Sequence, residues 1–60
     1  MKILISSEQN VDGKWFPCGH EDDLGTITLI EFNNLFDTKD EADDFLEEKY
    51  KDSGYKVERT

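Results

Sequence analysis

The sequence predicts an α+β fold: a small antiparallel-rich sheet of three or four strands with one amphipathic helix packed on one face. Three observations carry that expectation. Residues 26–32, TITLIEF, are rich in β-branched side chains that suit a strand. Residues 38–54, TKDEADDFLEEKYKDSG, read as a capped helix. Residues 55–60, YKVERT, alternate Tyr55 and Val57 against Lys56 and Glu58, as a half-buried strand does. The element order is β(β)βαβ, the second strand being optional, in a single domain spanning residues 1–60.

The chain opens with KILISSE at 2–8, where Ile3, Leu4 and Ile5 suit a first strand. Asp12-Gly13 signals a turn, because glycine reaches positive φ without steric cost and aspartate tolerates the neighbouring geometry. Lys14, Trp15 and Phe16 then form a short strand that Pro17 ends or confines to an edge. Residues 18–25, CGHEDDLG, hold two glycines and three consecutive acids, and they predict an exposed loop. In TITLIEF the apolar positions do not alternate cleanly. Ile27 and Leu29 share one face, Ile30 and Phe32 the other, so either both faces are covered or a bulge shifts the phase. Asn33-Asn34 interrupts the pattern, and Leu35 and Phe36 lead into the helix.

Thr38 and Glu41 make the T-x-x-E capping box. Ala42, Phe45, Leu46, Lys49 and Tyr50 follow at helical spacing and define one buried stripe. Gly54 suits a left-handed stop. A crossover through this helix to the last strand is right-handed if the two strands it joins are parallel.

Sixty residues make one small domain. Such a chain buries about 60% of the surface its unfolded form exposes, and its core supplies roughly 3–5 kcal/mol. One cysteine, Cys18, permits no intrachain disulfide, and no set of four Cys/His ligands exists for structural zinc. A composition of 37% charged and 35% hydrophobic residues borders on disorder, but seven aromatics and patterned apolar runs favour a folded chain. The net charge of −8 argues against direct binding to DNA or RNA, whose phosphates need Lys and Arg, and against anionic membranes. No secretory leader and no membrane-spanning run is visible, and a lone cysteine fits the cytoplasm.

The helix concentrates the acid. Asp40 and Glu41 meet the positive end of the helix dipole, Lys49 and Lys51 lie toward the other end, and Glu47–Lys51 is a favourable i, i+4 pair. Asp43, Asp44 and Glu48 exceed what a helix requires, since mid-helix aspartate is unfavourable and the i, i+4 acids repel. The surplus has two readings: a solvated face that keeps a small domain soluble, or a surface for a basic partner, with charge steering the encounter. Carboxylates on successive turns, about 5.4 Å apart, also approach the spacing of phosphates on a strand, so mimicry of nucleic acid is a special case of the second.

Catalytic and metal chemistry find little support. Cys18 and His20 stand two residues apart in a glycine-containing stretch, which is not a nucleophile–base geometry, and with one carboxylate they offer at most a weak transition-metal site. Residues 37–48 have the length of a calcium loop, but Lys39 and Ala42 occupy positions that need an oxygen ligand and glycine. No phosphate loop, dinucleotide fingerprint or nucleophile elbow occurs. The expectation is a protein that is not an enzyme and takes no cofactor. Trp15 reads as a core residue, while Phe16, on the opposite side of the strand, is available as a partner anchor.

Thr38–Ala42 as T-K-D-E-A, Tyr50, and Gly54–Arg59 as G-Y-K-V-E-R together resemble the C-terminal half of the small RNA-polymerase inhibitor of podoviral phages. The similarity covers residues 38–59. The resemblance implies a short strand–strand–helix–strand protein that binds the bacterial enzyme and blocks transcription, with Arg59, Asp40 and Glu41 at matching polar positions. The hairpin, Pro17 and the CGHEDD segment have no counterpart in that family. The first expectation is therefore a non-enzymatic protein-binding module, encoded by a phage or mobile element, that inhibits a bacterial nucleic-acid-handling protein such as RNA polymerase or a nuclease. Its contact residues are Asp40, Asp43, Asp44, Glu47, Glu48, Phe16 and Arg59, facing a basic surface of the host protein. The alternative is a structural or accessory domain that forms a homodimer through its sheet edge or Phe16, with acidity serving solubility.

Overall fold

Ile3 and Ile5 point the same way along an extended chain, and burying both of them organises the molecule. The computed structural model describes residues 1–60. In chain order the elements are β1 (Lys2–Ile5), β2 (Glu8–Gln9), β3 (Trp15–Phe16), β4 (Cys18–Asp23), β5 (Thr26–Glu31), α1 (Lys39–Tyr50) and β6 (Lys56–Arg59). Four strands form a mixed sheet in the order β5-β4-β1-β6. β1 is antiparallel to β4 and parallel to β6, and β4 is antiparallel to β5. β2 and β3 form a separate antiparallel ribbon. The α+β architecture read from the sequence is the one observed, with one helix against the sheet.

Two antiparallel steps make β5 run parallel to β1, and hence to β6 at the far edge. Between those edges α1 packs on the inner face. Ile3, Ile5 and Leu46 form the buried centre, and Ile30, Phe32, Tyr50, Tyr55 and Val57 pack around it. Phe32 meets Phe45 edge-on, as Tyr50 meets Tyr55. Such aromatic pairs add about 1 kcal/mol each beyond their burial.

The helix begins where its cap requires. Thr38 is extended, and its hydroxyl accepts from the Glu41 N–H at 3.2 Å. The Glu41 carboxylate then takes the Thr38 hydroxyl proton at 3.1 Å rather than the backbone N–H that a full capping box would supply. At the other end Ser53 donates from both its N–H and its hydroxyl to the Tyr50 carbonyl, and Gly54 follows at φ +84°. The buried arc is rotated from the expected stripe. Ala42 and Leu46 are buried as read, but Lys49 is exposed, its ammonium lying over the Phe32 and Phe45 rings at 5.7 and 5.3 Å. Asp43 is buried on the opposite flank.

The largest departure is CGHEDD, which the composition assigns to an exposed loop. It is strand β4, paired with β5 along its whole length and with β1 from Gly19 to Asp22. Gly19 explains its place, since a Cβ there would lie 2.3 Å from the Leu4 carbonyl oxygen. Two positive-φ residues, Leu24 at +52° and Gly25 at +88°, then close the β4–β5 hairpin with the two-residue turn that matches strand twist. The first strand is shorter than 2–8, stopping at Ile5. Asp12-Gly13 turns as expected, with Gly13 at φ +82°. Pro17, buried, separates β3 from β4.

β5 settles the question of its own phase. Its register with β4 is continuous, without a bulge. Ile30 turns inward, and Ile27 and Leu29 stand 59% and 62% exposed on an outer face that no helix covers.

Candidate functional site

The acidic helix residues named from the sequence separate into two environments. Asp40, Asp44, Glu47 and Glu48 are exposed, as expected of a contact face. Asp43 is not part of that face: it is 1% exposed. Its place is fixed by spacing, since it lies three residues before buried Leu46 and four after Lys39, whose ammonium donates to it at 2.7 Å. The same ammonium reaches the Thr60 carbonyl at 3.1 Å. Burial pushes the Asp43 carboxyl up, but Lys39 and the Ser7 hydroxyl and N–H outweigh it and hold the group below its ordinary range. Ser7 Oγ and Asp43 Oδ1 are the buried side-chain oxygens without a hydrogen-bond partner that meets full geometric criteria.

Arg59 organises the exposed face from β6. Its Nε and Nη2 donate to Glu47 Oε2 at 2.9 and 2.7 Å, and Nη2 also pairs with Asp44. Hydrogen bonding to Asp44 first, then to Glu47, raises the guanidinium pKa still further. Lys51 pairs with Glu48 at 2.7 Å, where the sequence suggests Glu47 as its partner. Asp44, Glu47, Glu48 and Lys51 line a shallow open depression. A carboxylate has about four lone-pair sites, so one held by Arg59 can still accept from a second donor. Phe16 is half-buried on the ribbon, remote in sequence from this face and carried by a different element. Trp15 is also half-buried, and its backbone exchanges hydrogen bonds with Phe36 at 2.8 Å in both directions.

Six of the 15 acids meet a basic side chain: Asp37, Asp43, Asp44, Glu47, Glu48 and Glu58. Among the rest, Glu21 has a structural task that the sequence does not advertise. It accepts from the Tyr55 hydroxyl at 2.8 Å and the Tyr50 hydroxyl at 3.3 Å, tying β4 to the end of α1 and the start of β6. Both phenols are raised, Tyr55 mainly by this hydrogen bond and Tyr50 mainly by burial. Lys14 pairs with Asp37, clasping the ribbon to the helix entrance, which raises the lysine and lowers the aspartate.

Cys18 is 1% exposed, its thiol donating to the Ser6 carbonyl at 3.2 Å and to Glu8 at 3.5 Å. Burial, then Glu8, pushes it up to about 11, so almost no thiolate exists near neutrality. His20 is exposed on the same strand. No group of three or more His, Cys, Asp and Glu side chains is placed to hold a metal ion. No helix is long and apolar enough to cross a membrane.

The fold is a small α+β domain, and its candidate site is an acidic helix face braced by one arginine. Comparison with known proteins finds no matching protein-family model, curated protein or solved structure.

Proposed function

We propose that this chain is a non-enzymatic protein-binding module whose exposed α1 face, Asp40, Asp44, Glu47 and Glu48, meets a basic surface on a partner protein. The observation that supports it is the bracing of Asp44 and Glu47 by Arg59. Two carboxylates already held by one guanidinium lose less side-chain freedom on binding, which lowers the cost of association. The net charge of −8 adds long-range steering.

Arginine and lysine that receive phosphate also receive carboxylate, so a phosphate-binding surface is one that this acidic face would fit. The partner in this reading is a bacterial nucleic-acid-handling protein, RNA polymerase or a nuclease, inhibited by occlusion. The resemblance of residues 38–59 to the phage polymerase inhibitor supports the same class of origin and target. Asp43 is withdrawn from the contact set because it is buried.

The test is a tagged pull-down from nuclease-treated bacterial lysate, comparing the native chain with D40K/E48K. Neither residue meets Arg59, and circular dichroism checks that the helix survives loss of the Asp40 charge at its N-terminus and of the Glu48–Lys51 pair. At low salt the native chain should retain one stoichiometric nucleic-acid-handling protein, released as salt rises, and the variant should lose it. Equal capture by both chains would remove the helix face from the interface.

A further inference from the structure

The two edges of the sheet are built differently. At one edge, β6 is Lys56-Val57-Glu58-Arg59, charged in the way that natural edge strands avoid pairing with other chains. At the other, β5 is Thr-Ile-Thr-Leu-Ile-Glu, with no lysine, no proline and no bulge. Residues 24–30 are the longest run in the sequence without Lys, Arg, Asp or Glu. In a chain that is 37% charged, this neutral run lies on the edge without charged side chains along most of its length.

We infer that β5 is a self-pairing edge, joining antiparallel to β5 of a second copy of this chain. This surface is separate from the acidic face of α1, and either can fail alone.

Geometry limits the register. The Phe32 N–H donates to the Pro17 carbonyl on the β4 side. By alternation, Thr26, Thr28 and Ile30 direct their backbone groups to β4, while Ile27, Leu29 and Glu31 direct theirs to the open edge. A two-fold pairing must oppose outward-facing residues to one another. Centring it on Thr28 sets Ile27 against Leu29 of the second copy, and Leu29 against its Ile27. Thr28 then faces its own counterpart, and Glu31 faces Gly25. No charge opposes an apolar or like-charged residue. Centring it on Leu29 instead sets Ile27 against Glu31, a poorer match.

The Thr28 register also gathers exposed apolar surface. Ile27 and Leu29, 59% and 62% exposed in the single chain, become a four-residue cluster on the outer face of one continuous sheet. The residues shared between the copies are the same on each side, as an isologous contact requires. The opposing force is the charge of −8 on each copy, which salt screens over a length of about 10 Å at 0.1 M. Self-pairing therefore strengthens with salt, the reverse of an acid–base encounter.

Sedimentation equilibrium at about 50 mM and about 500 mM salt reads this directly. The native chain should approach dimer mass at the higher salt. I27K/L29K places two lysines opposite two others without opening the core, and should lower the association constant at least about tenfold while circular dichroism stays unchanged. A second reading fixes the register. Thr28 faces Thr28 as a non-hydrogen-bonded pair with Cα atoms about 4.5 Å apart, inside disulfide range. T28C should form a covalent dimer on mild oxidation and L29C should not, while Cys18 stays buried. A monomer at both salts overturns the inference and leaves the edge to an extended segment of another protein. A dimer that survives I27K/L29K, or linking by L29C in place of T28C, also overturns it.

Discussion

Replacing Asp43 by asparagine tests whether this acid belongs to the fold. The side chain keeps its shape, can still accept from Lys39, and can still meet the Ser7 hydroxyl. What it loses is the charge. A hydrogen bond to a charged group contributes about 1.5–3 kcal/mol. Lys39 is about a third exposed and regains water when its partner is neutral, which points to the lower end, about 1.5 kcal/mol. That is a large fraction of the roughly 3–5 kcal/mol expected of so small a core. With a urea slope near 1 kcal/mol per molar, the unfolding midpoint should fall by about 1.5 M at pH 7.

The pH dependence gives a second reading. The Asp43 pKa is lowered in the folded state, so its stabilisation is present above the unfolded value of about 3.9 and is lost as pH falls through the folded one. The native chain should therefore lose more stability on acidification than D43N, and the two midpoints should converge in strong acid. Urea melts followed by tryptophan fluorescence at pH 7, 4 and 2.5 measure both effects. A shift below about 0.5 M at pH 7, or parallel pH profiles, would refute the reasoning, because a solvated surface acid gives that result.

Two further outcomes follow from the strand that composition conceals. G19A places a methyl 2.3 Å from the Leu4 carbonyl between two paired strands, so it should destabilise by about 3 kcal/mol, read as loss of the cooperative melt. Cys18, buried and raised to about 11, should react with a maleimide at pH 7.5 only as fast as the chain unfolds, and at a free-thiol rate in urea.

What was legible in the sequence was local. The Thr38 cap, Gly54, Asp12-Gly13 and the β-branched run of β5 each carry their cause within a few residues. β4 does not. Glycine and aspartate are poor strand formers on their own, and CGHEDD is a strand because β1 and β5 supply partners on both sides. The site divides the same way. Helical spacing places Asp40, Asp44, Glu47 and Glu48 on the outside. It places Asp43 there too, because the apolar pattern fits a stripe through Lys49, whereas packing turns the helix toward Lys39. A signal was present: Lys39, Asp43 and Leu46 share spacing with buried Ala42, and an i, i+4 lysine–aspartate pair is what allows a carboxylate to enter a core. Glu21 and its two tyrosines had no signal of this kind, since the three residues come from β4, α1 and the approach to β6.

The acid of this chain is thus divided by location rather than by amount. Asp43 is buried against Lys39, Glu21 joins elements, and Asp44 and Glu47 are held by Arg59 while staying exposed. The proposed interfaces lie on different sides of the sheet's organisation: one on the helix that covers the inner face, the other along the β5 edge. Antiparallel pairing about a two-fold axis normal to the sheet keeps inner face beside inner face, so a β5 dimer carries both α1 helices on one side. Salt acts on the two surfaces in opposite senses, weakening capture by the helix and strengthening pairing at the edge. D40K/E48K should therefore abolish capture while making self-association less salt-dependent, because each copy carries less negative charge. I27K/L29K should abolish self-association and leave a monomer whose helix face still captures. A single variant that removed both activities would mean that the helix face works only when two copies present it together.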